Sequence, residues 1–317
     1  RREGVEPSEL PGPSRRPVAV REGTTLRDEA RAVRFEGEGV VPLSRLDVEQ
    51  IDGDPEIQAR PTYRVVSEWR RWMLNYRNSH IEYESDEGDA VRAPLENSYQ
   101  HRYARRYYGR LKDLERGVER EYEALTPVML TFTASHRNAE GGWRCPADHL
   151  RDVMNGWDAA RKHLYHVLDG YRWEYARILE PHQDGYGHLH VAVFVEAEPA
   201  DLDAEWFRPV MRSHVGAVGS AGSEAHGLTT PGLGDTVSVA GDGGEVDNLG
   251  SYLAEYLGLY GGEDGPESAL DAPMNVQAFH AVTWATNSRR LDFSNGAQAL
   301  IADERWRRET GLRPEDR

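Results

Sequence analysis

The chain of 317 residues is poor in cysteine, lysine and long apolar runs. Its one cysteine, Cys145, excludes an intramolecular disulfide framework and any multi-cysteine zinc site. The longest apolar candidates, such as Leu189 to Val195, are strand-sized, well short of the roughly 18 residues a membrane helix needs. The N-terminus is charged and lacks the apolar core of a signal peptide. No H-E-x-x-H pattern occurs, which sets aside the common zinc-protease arrangement, and no G-x-x-x-x-G-K-[ST] pattern occurs, which sets aside a fused phosphate-loop helicase. The expectation is a soluble, cytoplasmic protein without a membrane partner, long enough to build a real core in one large domain or two ordinary ones.

What is present is charge of an uneven kind. Asp and Glu total 54 against 38 Lys and Arg, a formal net charge of -16. Only Lys112 and Lys162 are lysines, so nearly all positive charge is arginine. In dilute salt such a balance argues against a nucleic-acid partner. Few lysines, many arginines and a large acidic excess resemble proteins of salt-loving archaea. In molar salt the Debye length shrinks to about 3 Å, and acidity no longer excludes that partner. An ordinary acidic protein from a GC-rich genome is the alternative.

Residues 1–60 are poor in aromatics and rich in Pro, Gly, Glu and Arg, and read as a flexible arm. Residues 61–125 read as helical. Val66, Trp69, Met73 and Tyr76 recur at helical spacing, and Tyr99, Tyr103, Tyr107, Leu111, Leu114 and Val118 form a second stripe. The other face of that second helix carries Arg102, Arg105, Arg106 and Arg110. A basic, tyrosine-laced helix suits a phosphate backbone. Equally, it can be a solvated face whose arginines pair with Glu115 and Glu119. Residues 126–260 alternate strands and helices in the order β–α–β–β–α–β, closed by a further helix over "DNLGSYLAEYLGLY". This order predicts an α+β fold: an antiparallel sheet with helices on one face, flanked by helical N- and C-terminal extensions. Residues 261–317 read as a linker, a helix, a turn and a final helix.

The chemistry concentrates in "GHLHVAVFVE". His188 and His190 are two apart on a strand, so both face the same way, while Leu189, Val191, Val193 and Val195 face a core. Two imidazoles on one sheet face are half a metal site. Glu180 ends the preceding strand, and a short Gly-containing turn lets antiparallel pairing bring it beside them. His182 or Glu174 are alternative third ligands. A carboxylate with two imidazoles leaves open positions and suits Mn²⁺ or Mg²⁺ at a catalytic centre. In "YLAEYLGLY", Tyr252 and Tyr256 are four apart on a helix and share a face. Such a pair is either packing or two nucleophiles. Thr131 and Thr133 alternate with Leu130 and Phe132 on a strand and could floor a site.

Strand "LTFT", then "HLH" among apolar residues, then "YLAEY" on a helix resembles the three ordered motifs of the HUH endonuclease superfamily. The likeness is closest to rolling-circle replication initiators with two motif tyrosines, and it covers roughly residues 126 to 260. It implies the ferredoxin- or RRM-like palm of that superfamily. It further implies His188, His190 and Glu180 as metal ligands and Tyr256 and Tyr252 as nucleophiles. The eight-residue step from Glu180 to His188 matches viral members. Many relatives carry Lys just before the second tyrosine, where this chain has Glu255.

The resemblance implies single-stranded origin DNA as substrate. One tyrosine would attack the scissile phosphate in line, leaving a 5′-phosphotyrosine and a free 3′-OH to prime a host polymerase working with a host helicase. The second would cut the regenerated origin so that the bound end can be rejoined. A two-tyrosine transposase would use the same chemistry. A DNA-binding protein with an incidental histidine pair is the non-enzymatic alternative.

Overall fold

The computed structural model describes residues 62–77, 97–137, 139, 141, 143–240 and 268–311, with short strands at 2–3, 33–36, 39–42, 80–84 and 90–94. Its centre is a five-stranded sheet. In chain order the strands are β1 (Arg2–Glu3), β2 (Val33–Glu36), β3 (Gly39–Pro42), β4 (His80–Glu84), β5 (Ala90–Pro94), β6 (Thr126–Phe132), β7 (Trp173–Pro181), β8 (Gly187–Val195), β9 (Val237–Val239) and β10 (Leu291–Phe293). The helices are α1 (Thr62–Arg77), α2 (His101–Glu121), α3 (Pro146–Val167), α4 (Arg208–Ala217), α5 (Met274–Ala285) and α6 (Asn295–Thr310).

The central sheet runs β10-β7-β8-β6-β9, and every neighbouring pair is antiparallel. Between β6 and β9 the chain follows β–α–β–β–α–β. With β6 and β8 central and β7 and β9 outside them, this is the split βαβ arrangement, extended at the β7 edge by β10. The fold is α+β with an antiparallel sheet, as expected.

Alternation along the strands sorts side chains onto two faces. Val128, Leu130, Phe132, Leu179, Leu189, Val191, Val193 and Val195 join one buried cluster with Leu150, Trp157 and Leu164 of α3 and Val210 and Met211 of α4. Trp69 of α1 and Phe279 of α5 extend this cluster. Met129, Ala176, Ile178, Ala192 and Phe194 face the other way, onto Leu111, Leu114 and Val118 of α2 and Ala297, Leu300 and Ile301 of α6. The intervening helices α3 and α4 thus share one face with α1 and α5, and α2 and α6 close the other.

The α2–α6 layer is held by more than apolar contact. Gly117 of α2 has no side chain where Leu300 Cβ packs, and a Cβ there would sit 3.1 Å from it. Buried Asp113 pairs with Arg116 at 3.0 Å and with Arg308 of α6, and Arg120 pairs with Glu304. Helix α6 starts on Ser294, whose hydroxyl accepts from Ala297 N–H at 3.3 Å, and stops at Gly311 in the left-handed conformation.

Two readings of the flanks change. The apolar pattern from Thr62 does not continue as helix to Ser85: α1 ends at Arg77, and His80–Glu84 pairs antiparallel with Ala90–Pro94. Ile81 and Tyr83 alternate with Glu82 and Glu84, a period of two that suits a strand. The segment taken as a turn before the last helix contains β10, which pairs with β7 through Leu291–Ile178, Asp292–Arg177 and Phe293–Ala176. Among the described residues no helix is long and apolar enough to cross a membrane.

Candidate metal centre

The β7–β8 hairpin builds the centre. Its turn is closed by His182 N–H donating to Tyr186 O at 2.6 Å and Gly185 N–H donating to His182 O at 2.9 Å. Gly185 takes φ +85°, a conformation that a side chain would oppose. This turn fixes the register, and a slip of one residue would send every side chain to the wrong face. The register pairs Glu180 with His188 and Ile178 with His190. On the far side of β8, Thr131 pairs with His190. Glu180, His188, His190 and Thr131 therefore share the α2–α6 face.

There three ligand atoms converge. Glu180 Oε2 lies 3.5 Å from His188 Nε2 and 3.3 Å from His190 Nε2, and the two Nε2 atoms are 2.7 Å apart. All three lie within 4.8 Å of one another. Glu180 is 3% exposed, yet its Oε1 has no hydrogen-bond partner. A buried carboxylate oxygen without a partner is costly, and two imidazole nitrogens aimed at one point and at a carboxylate are what a cation relieves. His190 Nδ1 meets Thr131 Oγ1 at 3.0 Å. With Nδ1 carrying the proton toward that hydroxyl, Nε2 is left as a lone pair for a metal. The chemistry of this donor set fits a divalent ion, so the cluster could hold one.

A further layer surrounds these three. The His182 ring lies 4.1 Å from that of His188, and His136 lies 5.1 Å from His182. His136 stacks on Tyr186 with centroids 4.5 Å apart and pairs through Nδ1 with Asp184. Burial and the neighbouring His188 push His182 down to about 4, so it is neutral at physiological pH. Sequence reasoning kept His182 as an alternative ligand. The fold sets His182 and His136 beside the centre but outside the convergent trio.

The other expected residues distribute as follows. Glu174, the second alternative ligand, lies toward the far end of β7. Its Oε2 accepts from Ala297 N–H at 3.1 Å and from Ser294, so it caps α6 and is no ligand. Thr133 lies past the end of β6 and serves two buried histidines through its backbone. Its N–H donates to His226 Nε2 at 3.2 Å, and its carbonyl accepts from His214 Nε2 at 2.9 Å. Tyr252, Tyr256 and Glu255 lie outside the described residues. Arg102, Arg105 and Arg106 are exposed on α2, Arg110 is half-buried, and Glu115 takes Lys112 at 2.8 Å rather than an arginine of this patch. Arg290, which sequence reasoning did not single out, lies where its charge acts on Glu180. Its carbonyl accepts from Leu179 N–H at 2.7 Å, one residue before that ligand. No local pattern marks it, because pairing across the sheet edge brings it there.

Fold and cluster together define an α+β protein with a two-histidine, one-carboxylate centre on a split βαβ sheet. Residues 36–312 match the family described as "Putative rep protein (DUF1424)", and the chain belongs to that family. It is 33% identical over 294 residues to an uncharacterized 36 kDa protein of Halobacterium salinarum, covering 90% of this chain and 85% of that one. It is 34% identical over 271 residues to an uncharacterized 36 kDa protein of Halobacterium sp. (strain GN101), covering 80% of each. No solved structure matches.

Proposed function

We propose that the protein is a rolling-circle replication initiator of the HUH type, which nicks and rejoins single-stranded origin DNA. The observation that carries the reading is the register that sets Glu180 opposite His188 and turns His190 onto the same face. Membership of a rep family supports it. Glu180, His188 and His190 would hold a divalent ion, Mn²⁺ or Mg²⁺, which would supply charge neutralisation at a phosphate oxygen. Thr131 holds the His190 ring with Nε2 toward that position. Tyr252 or Tyr256 is the nucleophile. Its phenol oxygen bonds to phosphorus, the bond from phosphorus to the 3′ oxygen breaks, and the phenolic proton is made good at the departing 3′-OH. The product is a 5′-phosphotyrosine. The free 3′-OH goes to a host polymerase and helicase, and the second tyrosine serves the rejoining cut. Arg102, Arg105, Arg106 and Arg110 lie along the helix that borders the centre's face and receive the DNA backbone.

The test is a covalent adduct. The protein is mixed in high salt with Mn²⁺ and single-stranded oligonucleotides spanning its own replicon, then run on a denaturing gel. The expected band requires metal and vanishes in the Tyr252→Phe, Tyr256→Phe double variant. Origin binding that persists in EDTA, with no adduct for any segment or metal, would overturn the reading in favour of a non-enzymatic DNA-binding protein.

A further inference from the structure

Between the N-terminal half of α2 and the connection from α5 to β10 lies a groove of about 530 Å³, within the range of pockets that take a ligand. A second cavity of about 740 Å³ lies beyond β10 and shares Arg289, Asp292, Phe293 and Gln298 with the first, so the two are contiguous around the sheet edge. One wall of the groove is an aromatic ladder. Tyr103 stacks on Tyr107 with centroids 4.3 Å apart, and Tyr107 lies nearly parallel to Phe293 at 6.4 Å. Arg106 sits over Tyr103 at 5.1 Å, and Arg110 over Tyr107 at 5.1 Å and Phe293 at 4.6 Å. Among the described residues the lining carries Arg110, Arg289 and Arg290 against one carboxylate, Asp292, which is shared by Arg177 at 3.0 Å and the exposed Arg289 at 3.7 Å. In a chain of net charge -16 this is a local excess of positive charge.

We infer that this groove seats the single-stranded DNA that flanks the cleavage position, with bases against the tyrosine ladder and phosphates on Arg110 and Arg289. Planar rings interleaved with guanidinium groups suit unpaired bases on a phosphate chain, because duplex bases hide their faces in the stack. The groove is tied to the strand that carries Glu180. Arg290 lines it, and its carbonyl accepts from Leu179 N–H, next to Glu180. Stacking matters because a Debye length of about 3 Å in molar salt leaves charge alone with little reach.

The inference rests on the proposed nicking reading for the identity of the strand, but its test does not use cleavage. The full chain, in 2 M KCl with EDTA, is bound to a fluorescein-labelled oligo-dT carrying 5-iodouracil, irradiated, digested and mapped by mass spectrometry. Cross-links are expected at Tyr103, Tyr107 or Phe293. Arg110→Glu with Arg289→Glu is expected to weaken binding, read by anisotropy, at least about 10-fold, and Tyr103→Leu to weaken it by a similar factor. Mn²⁺ binding by calorimetry should stay unchanged in these variants. Cross-links only elsewhere, unchanged affinity in the charge-reversed chain, or equal competition by duplex DNA would each overturn the groove. The mapping on the unaltered chain stands even if a variant misfolds. Cross-links in the groove without any adduct in the nicking assay would remove the nickase reading and keep the groove. An adduct with no cross-link in the groove would do the reverse.

Discussion

Thr131 touches the centre through one hydrogen bond, which it can accept from His190 Nδ1–H so that Nε2 keeps a lone pair toward the cluster. Outer partners of metal-binding histidines typically matter by one to two orders of magnitude in affinity. Thr131→Val keeps the strand's shape and removes the hydroxyl. It should weaken Mn²⁺ binding roughly 10-fold, read by titration calorimetry, and equal affinity would leave Thr131 as strand filler. His214 makes a prediction of another kind. It is buried, donates through Nε2 to Thr133 O, and burial pushes it down to about 4. The unfolded chain takes up that proton near pH 6.5 and the folded one does not. The stability this group protects is therefore complete above pH 6.5, falls as pH drops toward 4, and is fully lost below that. The loss should reach about 1–2 kcal/mol by pH 5. Urea midpoints at pH 7.5 and 5 for the natural chain and His214→Gln test it, since the variant should show a flatter dependence. The trio Glu180, His188 and His190 was legible in the sequence because a short turn and strand parity leave few registers. The approach of His136 was not, since it depends on the segment after β6 packing against the hairpin turn.

At the scale of elements, two helical glycines should respond oppositely to the same change. Gly109 in α2 has open space around its missing Cβ, so Gly109→Ala should stabilise by roughly 0.5–1 kcal/mol through helix propensity. Gly296 lies at the start of α6, where a Cβ would fall on the Glu174 carboxylate that caps the helix. Gly296→Ala should therefore cost about 1–3 kcal/mol despite the better propensity. Thermal melts of the pair decide it, and a stabilised Gly296→Ala would show that Glu174 can move without loss. The long elements were readable because α3 and β8 each show a clean period. Three residues of β10 could not be, because Leu291–Phe293 is too short to display alternation. What defines it as a strand is the open edge of β7.

At the scale of the molecule, acidity and architecture act together. A net charge of -16 repels itself in dilute buffer, and salt screens that repulsion. The melting temperature should rise between 0.1 and 2 M KCl by roughly 5–10 °C. A fall would mean that ion pairs such as Asp113–Arg308 outweigh the repulsion. The two-sided cover of the sheet was only half visible in the sequence. The helices between strands declare their face by connectivity, whereas α2 and α6 are assigned to the other face only by packing.

The position of β10 has a consequence for how the protein is made. The strand that carries Glu180 has its outer edge paired by residues 291–293 of the 317-residue chain, and the face that holds the cluster is roofed in part by α6, which follows them. A ribosome that has delivered both histidines has not yet delivered the edge that steadies their carboxylate partner. Synthesis interrupted before that point leaves the ligands on an unfinished sheet with an open edge. The cluster gains its paired edge and its cover only once residues 291–310 have been made.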